Sequence, residues 1–132
     1  MAEIPAEARH LLEGQHFAHV ATLNPDGSPQ VSPVWIGIDG DTITFNTAEG
    51  RLKPKNVRRD PRVAVSIVNQ ENPYENILIQ GRVTDVTHEG ADEDIDALAK
   101  RYMGVDEYPL RQPGEKRVLV KIEPEKVTHQ AP

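Results

Sequence analysis

Two turn sequences stand close together in the first third of the chain, and each separates short runs of β-forming residues. The turn Asn24-Pro25-Asp26-Gly27 lies between the runs 16–23 and 29–38, and Asp39-Gly40 lies before the run 42–46. Proline presets φ and glycine accepts positive φ, so both sequences predict tight turns. Strands joined so closely must be antiparallel, which excludes an α/β fold with a helix between every pair of strands.

The rest of the chain continues this pattern. Alternating apolar residues predict three further strands, over 62–68, 75–87 and 116–127. Gly81 lies in the middle of the longest of them, where we expect a bulge or bend. Apolar spacing and terminal residues predict short helices over 5–13, 54–59 and 90–103. We therefore expect a mainly β fold, a six-stranded antiparallel barrel or rolled sheet that forms one domain over residues 1–132.

Composition limits the cellular compartment and the classes of binding partner that we expect. The 132 residues include no cysteine, which excludes disulfides, a cysteine zinc site and thiol catalysis. The first residues contain no apolar leader, and no run approaches the roughly 20 apolar residues of a membrane span, so we expect a cytoplasmic protein. The net charge of −6 argues against binding to nucleic acid or to anionic membranes.

Positive charge is nevertheless concentrated in one segment. Six of the fifteen Lys and Arg residues lie within residues 51–62, against one acid. A residue before proline favours an extended backbone, so Lys53, which precedes Pro54, is predicted to point the same way as Arg51. Cations beside a helix N-terminus make a phosphate site, to which Lys55 and Asn56 would add donors. The segment therefore predicts a small anionic ligand.

The three remaining cations of this segment leave two interpretations open. They would either contact a longer anionic tail of the ligand or simply face solvent; they are Arg58, Arg59 and Arg62.

The sequence offers no evident acid–base machinery and no metal site. His16 and His19 would point to opposite faces of a strand, and the other three histidines are interpreted as isolated. The acidic residues near Asp94 begin a predicted helix, where the helix dipole favours carboxylates. Catalytic residues therefore stay unassigned, and a bound cofactor would have to carry the chemistry.

Three segments resemble the split β-barrel superfamily of pyridoxamine 5'-phosphate oxidases and their flavin- and deazaflavin-dependent relatives. They are Thr22–Trp35, Gly50–Arg62 and Ile79–Val83, and the resemblance covers nearly the whole chain. The chain ends soon after its last strand, as do short members of the superfamily that use the deazaflavin coenzyme F420. The resemblance therefore implies an F420-dependent oxidoreductase that reduces a small unsaturated or quinone-like molecule, and it disfavours pyridoxamine-phosphate oxidase activity.

The resemblance also implies a homodimer with a cofactor at the interface and assigns residues to it. The ring system would lie against two strand segments, made of Ser32, Pro33, Val34 and Trp35 and of Asn46 and Thr47. The phosphate would be held by Arg51, Lys53, Lys55 and Asn56, and Gln80 could reach the ring across the dimer.

Three alternatives stay open at this point. FMN could replace F420 on the same fold, or the protein could bind a flavin, F420 or haem without catalysing a reaction. Trp35, the only tryptophan in the chain, could serve as a core or dimer anchor instead of a ring contact.

Overall fold

The computed structural model describes residues 2–132, and its strands form one antiparallel sheet with short helices around it. The seven strands are β1 (Ala18–Leu23), β2 (Pro29–Val34), β3 (Ile36–Asp39), β4 (Thr42–Ala48), β5 (Arg62–Val68), β6 (Asn76–Thr87) and β7 (Arg117–Gln130). A 3₁₀ turn (Ala6–Ala8) precedes the helices α1 (His10–Glu13), α2 (Leu52–Arg59) and α3 (Ala91–Met103). None of the helices in this part of the chain is long and apolar enough to cross a membrane.

The sheet has the order β2-β1-β5-β6-β7-β4-β3, and its curvature follows from that order. Both predicted hairpins are confirmed, since β1 pairs with β2 and β3 pairs with β4. The predicted strand 29–38, however, is two strands that break at Trp35, so the sheet has seven strands and not six. Because β2 and β3 occupy opposite edges but follow each other in sequence, the sheet must curl until the edges meet near Trp35.

Helix α2 begins two residues earlier than predicted. Arg51 is extended, with φ −81° and ψ 166°, but Lys53 is already helical and Pro54 is the third residue of the helix. The expectation that Lys53 is extended is therefore wrong. Proline is tolerated here because the first N–H groups of a helix have no intrahelical partner to lose.

The core lies on the concave side of the sheet, and α1 covers one end of it. Leu11, Leu12 and Phe45 are fully buried together with valine and isoleucine side chains of the strands. The irregularity predicted at Gly81 is confirmed, because the register between β6 and β7 shifts between Gln80 and Gly81. A Cβ atom at residue 81 would lie 2.7 Å from Cγ2 of Ile122, so glycine permits this close approach.

All three histidines that were interpreted as isolated have a carboxylate partner: His88 Nε2 lies 2.6 Å from Glu49, and His10 and His129 share Glu75. The Glu75 carboxylate lies 2.9 Å from His10 Nε2 and 2.8 Å from His129 Nε2, and it accepts a further hydrogen bond from Asn69. These contacts hold the pKa of Glu75 at about 2, with the Asn69 hydrogen bond first among the causes. The cluster joins α1 and the end of β7 to the loop before β6.

Candidate functional site

Lys53 is a buried cation whose hydrogen-bond partners are neutral. Its side chain projects from the first turn of α2 towards β2, and the residue is only 6% exposed. Nζ lies 3.0 Å from Gln30 Oε1 and also donates to Ser32 Oγ. Burial lowers the pKa of the ammonium group because the charged form loses hydration. No carboxylate within residues 2–132 forms an ion pair with Lys53, so its charge is available to a ligand.

This ammonium group lies at one end of a groove along the inner side of β2. The part around it, which we name the Lys53 cavity, has a volume of about 260 Å³. Seven of the predicted site residues line it: Ser32, Pro33, Val34, Asn46, Thr47, Arg51 and Lys53. Strand alternation explains part of this set, since Ser32 and Val34 lie on the same face of β2, as does Gln30, which also lines the cavity.

The groove continues into a second concavity, which we name the Trp35 cavity and which has a volume of about 240 Å³. The two concavities share Pro33, Val34, Asn46 and Arg51 and therefore adjoin. The side chains that line only the second part are mostly apolar or aromatic: Phe17, Trp35, Ile95, Leu98, Tyr108 and Leu110, together with Arg117. The groove thus has one cationic end and one aromatic end.

Aromatic contacts fix the position of Trp35. Its ring stacks on Tyr102 at a centroid distance of 5.2 Å and an angle of 6°, and it meets Tyr108 edge-on at 6.0 Å. The Tyr102 hydroxyl donates to the carbonyl of His16 at 2.6 Å and accepts from the Ile36 N–H. The last turn of α3 therefore holds the break between β2 and β3 in place.

A polar network lies beneath the junction of the two cavities, and Asn46 is at its centre. The Asn46 amide nitrogen donates to the Ala91 carbonyl and the Asp94 carboxylate, at 2.8 and 2.9 Å. Its oxygen accepts from Nε of Arg117 at 2.9 Å. Burial raises the pKa of Asp94 despite these contacts. Most of the polar capacity of Asn46 is used within the protein, so its amide is held rigidly towards the groove.

Arg117 continues this network to the rim of the groove. Its guanidinium is almost fully buried, lies 5.1 Å from the centre of the Tyr108 ring and donates through Nη1 to Glu115 at 3.0 Å. The same carboxylate oxygen accepts from Arg51 at a longer 3.5 Å. Arg51 is half exposed and only loosely paired, so its guanidinium remains accessible at the junction.

Three of the predicted site residues lie outside both cavities of this chain. Lys55 is on the exposed face of α2. Asn56 is fully buried and donates to Thr22 Oγ1 and Asn24 Oδ1, at 2.9 and 3.1 Å, so it ties α2 to the first hairpin. Gln80 lies on the outer face of β6, where it lines two other concavities. Within one chain, these three side chains are not brought to the groove.

The remaining cations of the basic segment have partners in the protein. Arg58 forms a two-pronged ion pair with Glu49 at 2.6 and 2.9 Å, and Arg62 pairs with Asp60 at 2.7 Å. Arg59 donates to the Leu23 carbonyl and to Asn56. All three cations therefore have partners within the protein. The sequence had suggested only solvent or a longer anionic tail of the ligand as their surroundings.

Comparison with known proteins identifies the family. The family model described as pyridoxamine 5'-phosphate oxidase matches residues 4–131, which is almost the entire chain. The chain belongs to this family. The resemblance that the sequence segments indicated is thereby confirmed, as is the mainly β, rolled-sheet fold.

Solved structures of three other proteins have a similar fold. One described as an F420 reductase is 30% identical, with a TM-score of 0.84, over 95% of this chain and 98% of that chain. A conserved hypothetical protein of Mycobacterium tuberculosis is 22% identical, with a TM-score of 0.76, over 98% of this chain and 86% of its own. HupZ of Group A Streptococcus is 22% identical, with a TM-score of 0.70, over 98% of this chain and 99% of its own. The last two show likeness of fold alone.

Several residues of the groove were not predicted from the sequence. Gln30 could have been found, because it shares a strand face with Ser32 and that face meets the start of α2. Tyr108 and Arg117 carry no local signal, since a loop tyrosine and an arginine at a strand start are ordinary features. Their place depends on packing between α3, β7 and β4, which pairs residues far apart in sequence.

Proposed function

We propose that this member of the family is an oxidoreductase that binds coenzyme F420, with the cofactor phosphate at Lys53. When bound, reduced F420 would supply a hydride to the acceptor, and solvent would supply the proton that completes the two-electron reduction. The 30% identical structure described as an F420 reductase supports this choice of cofactor. The substrate class is a small unsaturated or quinone-like molecule.

One observation carries the proposal: a buried, unneutralised cation lies at one end of the groove, next to the apolar wall of Pro33 and Val34. An uncompensated buried charge costs free energy, which an anionic ligand recovers when it binds. Lys53 supplies a compact charge, Arg51 can approach the same anion from the cavity wall, and the free N–H groups at the start of α2 add donors. These features fit a phosphate with an attached planar group.

The residues of the groove would position the cofactor without taking part in the chemistry themselves. Pro33 and Val34 line both cavities and offer an apolar wall against which a planar ring can lie. Asn46 is held by Arg117 and Asp94, so its orientation is fixed before a ligand arrives. A preorganised wall lowers the entropic cost of binding and orients the ring for hydride transfer.

The outer face of the sheet supports a homodimer as part of the same proposal. Two concavities adjoin there and share Ala21, Ala64 and Gln80, and the exposed apolar residues Val31 and Leu78 line one of them. In a dimer formed through this face, Gln80 of one chain would approach the cofactor of the other. Light scattering during gel filtration measures the mass and tests the dimer.

Equilibrium titration of the purified protein with F420 and with FMN tests the cofactor assignment. We expect F420 to bind more tightly and FMN to compete weakly, because the two share a phosphate. Tighter binding of FMN would transfer the assignment to a flavin oxidoreductase of the same fold. Binding of F420 without turnover across unsaturated and quinone acceptors would identify a cofactor carrier and contradict the enzymatic part.

A further inference from the structure

Arg117 is a buried charge that holds Asn46 in place but makes no direct contact at the proposed phosphate site around Lys53. It lines the Trp35 cavity from beneath, whereas Lys53 belongs to the other end of the groove. Its Nε and Nη1 donate to Asn46 and Glu115, and no hydrogen bond of Nη2 is found within residues 2–132. One guanidinium nitrogen therefore keeps its donor capacity.

The charged side chains that line this cavity are both cationic. Arg51 and Arg117 are the ionisable cations that line it, and no carboxylate lines it. Glu115 accepts from both arginines and therefore offsets part of their charge, while Asp94 and Arg101 lie further back, on α3. Because the carboxylates lie behind the cavity wall, an anionic group inside the cavity would meet the guanidinium groups of Arg51 and Arg117 first.

The shape and lining of the cavity limit what could occupy it. Trp35 and Tyr108 meet edge-on, and both are held by further contacts, so they present a fixed aromatic corner. Phe17 and Leu110 are 42% and 60% exposed and form an apolar rim. A volume of about 240 Å³ is smaller than that of sites for drug-sized ligands, which begin near ~300 Å³. A molecule of one or two fused rings fits this space.

We propose that the Trp35 cavity is the subsite of the hydride acceptor and selects planar one- or two-ring molecules that carry a carboxylate or a comparable ionised group. This inference rests on the proposed cofactor site at Lys53 and adds the substrate class to it. The apolar walls bind the ring, Arg117 and Arg51 bind the anionic group, and the shared wall of Pro33 and Val34 brings the acceptor beside the cofactor.

The single tryptophan makes this cavity directly observable, because all tryptophan fluorescence of the chain comes from Trp35. The probes are 4-nitrobenzoate and the neutral 4-nitrobenzamide, two quenchers of the same shape that differ in charge. Titration of the cofactor-free protein with each one measures the discrimination directly. We expect 4-nitrobenzoate to bind about tenfold or more tightly than the amide, the ratio typical of one charge-assisted hydrogen bond.

Variants assign the discrimination to particular residues. In Arg117→Met the preference should fall to less than about threefold, and in Arg51→Met, at a half-exposed position, it should fall by about threefold. Arg82→Met is the matched control, because Arg82 is exposed on β6 and lines neither cavity of the groove; its preference should be unchanged. If Arg117→Met does not fold, Arg51→Met decides, and an unchanged preference in that variant overturns the proposal.

Competition separates this inference from the cofactor assignment. Lys53→Met should bind F420 about 10- to 100-fold more weakly and keep the binding of 4-nitrobenzoate. Equal affinity of the two probes for the unaltered protein would overturn the acceptor subsite while the F420 assignment stands. Displacement of 4-nitrobenzoate by F420 would show that the cofactor itself fills the Trp35 cavity and would also overturn it. Failure of both F420 and FMN to bind would refute the cofactor assignment and the acceptor subsite with it.

Discussion

The two ends of helix α2 carry similar charge but use it differently. At the first turn, Lys53 is buried against the neutral side chains of Gln30 and Ser32. At the last turn, Arg58 is 43% exposed and forms a two-pronged ion pair with Glu49. A neutralised cation on the surface contributes little to ligand binding, whereas a buried cation without an anion is a cost that a ligand can remove.

The density of positive charge along the sequence therefore does not locate a site by itself. Whether a cation can bind a ligand depends on its partner within the protein. Here several of the partners come from strands and loops that are distant in sequence. Substitutions at Lys53, Asn56, Glu49 and Asp60, with variants of Lys55 as controls, test this difference between the ends of α2.

Replacing the buried cation should have the largest effect. Lys53→Met is expected to weaken F420 binding by about 10- to 100-fold, because a hydrogen bond to a charged group contributes about 1.5–3 kcal/mol. The free energy of unfolding should stay the same or rise, since methionine removes the desolvation cost of the ammonium group. Fluorescence titration measures the affinity, and urea unfolding measures the stability.

Lys55→Met is the matched control, because Lys55 lies two residues further along the same helix on its exposed face. Its cofactor affinity should change by less than about twofold. Equal losses in the two variants would show that the net charge of the segment matters and that the buried position does not. A large loss of stability in Lys53→Met would instead assign that residue a structural role.

The middle of α2 should matter for stability and not for the ligand. Asn56→Ala removes the fully buried amide that joins the helix to Thr22 and Asn24. The free energy of unfolding should fall by about 2 kcal/mol because buried polar groups lose their partner. Urea unfolding of Asn56→Ala and of Lys55→Ala provides the comparison. If Asn56→Ala weakened F420 binding without lowering stability, Asn56 would belong to the phosphate site after all.

The ion pair at the last turn should have a small, pH-dependent effect. Hydrogen bonds from Arg58 and then His88 hold the pKa of Glu49 at about 2, below its ordinary value of 4.5. A carboxyl group whose folded-state pKa is lowered stabilises the fold above the ordinary value, and this contribution disappears as the pH falls towards about 2. Glu49→Gln should therefore lower the free energy of unfolding at pH 7 by less than about 1 kcal/mol. The melting temperature should fall slightly as a result.

Melting curves of Glu49→Gln and the unaltered protein should converge as the pH approaches about 2. F420 affinity should be the same in both at pH 7. A difference in melting temperature that persists unchanged at the acid end would show that the Glu49 carboxylate does not stabilise the fold through its charge.

The smallest effect is expected where α2 leads into β5. Asp60→Asn weakens the pair with Arg62, whose side chain is 69% exposed. Solvent already screens this pair, so neither the melting temperature nor the F420 affinity should change measurably. A clear loss of affinity would indicate that Arg62 contacts the ligand and needs Asp60 to orient it.

Local sequence signals were sufficient for most of the fold. The turn residues around Gly27 and Gly40 specify the hairpins, and apolar spacing specifies α3. The break at Trp35 could not be predicted, because Val34-Trp35-Ile36 contains no turn residue and the break follows from the curling of the whole sheet. The start of α2 was misplaced because Pro54 was interpreted as its first residue, although any position in the first turn accepts proline.

Only the part of the candidate site formed by β2 and the start of α2 could be predicted from nearby sequence. Arg51, Lys53 and the β2 residues follow from segments close in sequence and from the family resemblance. The network that fixes Asn46 joins residues 71 positions apart, and Glu115 is 64 positions from Arg51. No local pattern encodes such pairs, because strand pairing and the packing of α3 bring them together.

The break at Trp35 also determines how the sheet ends. It leaves β2 and β3 as the two edge strands, where unpaired backbone groups could recruit a strand from another molecule. β3 has only four residues, and two of the three alternate positions 29, 31 and 33 on β2 are prolines, which have no N–H to donate. Pro33 thus lines the groove and also protects the protein from edge-to-edge aggregation, so a substitution at this position would endanger solubility as well as binding.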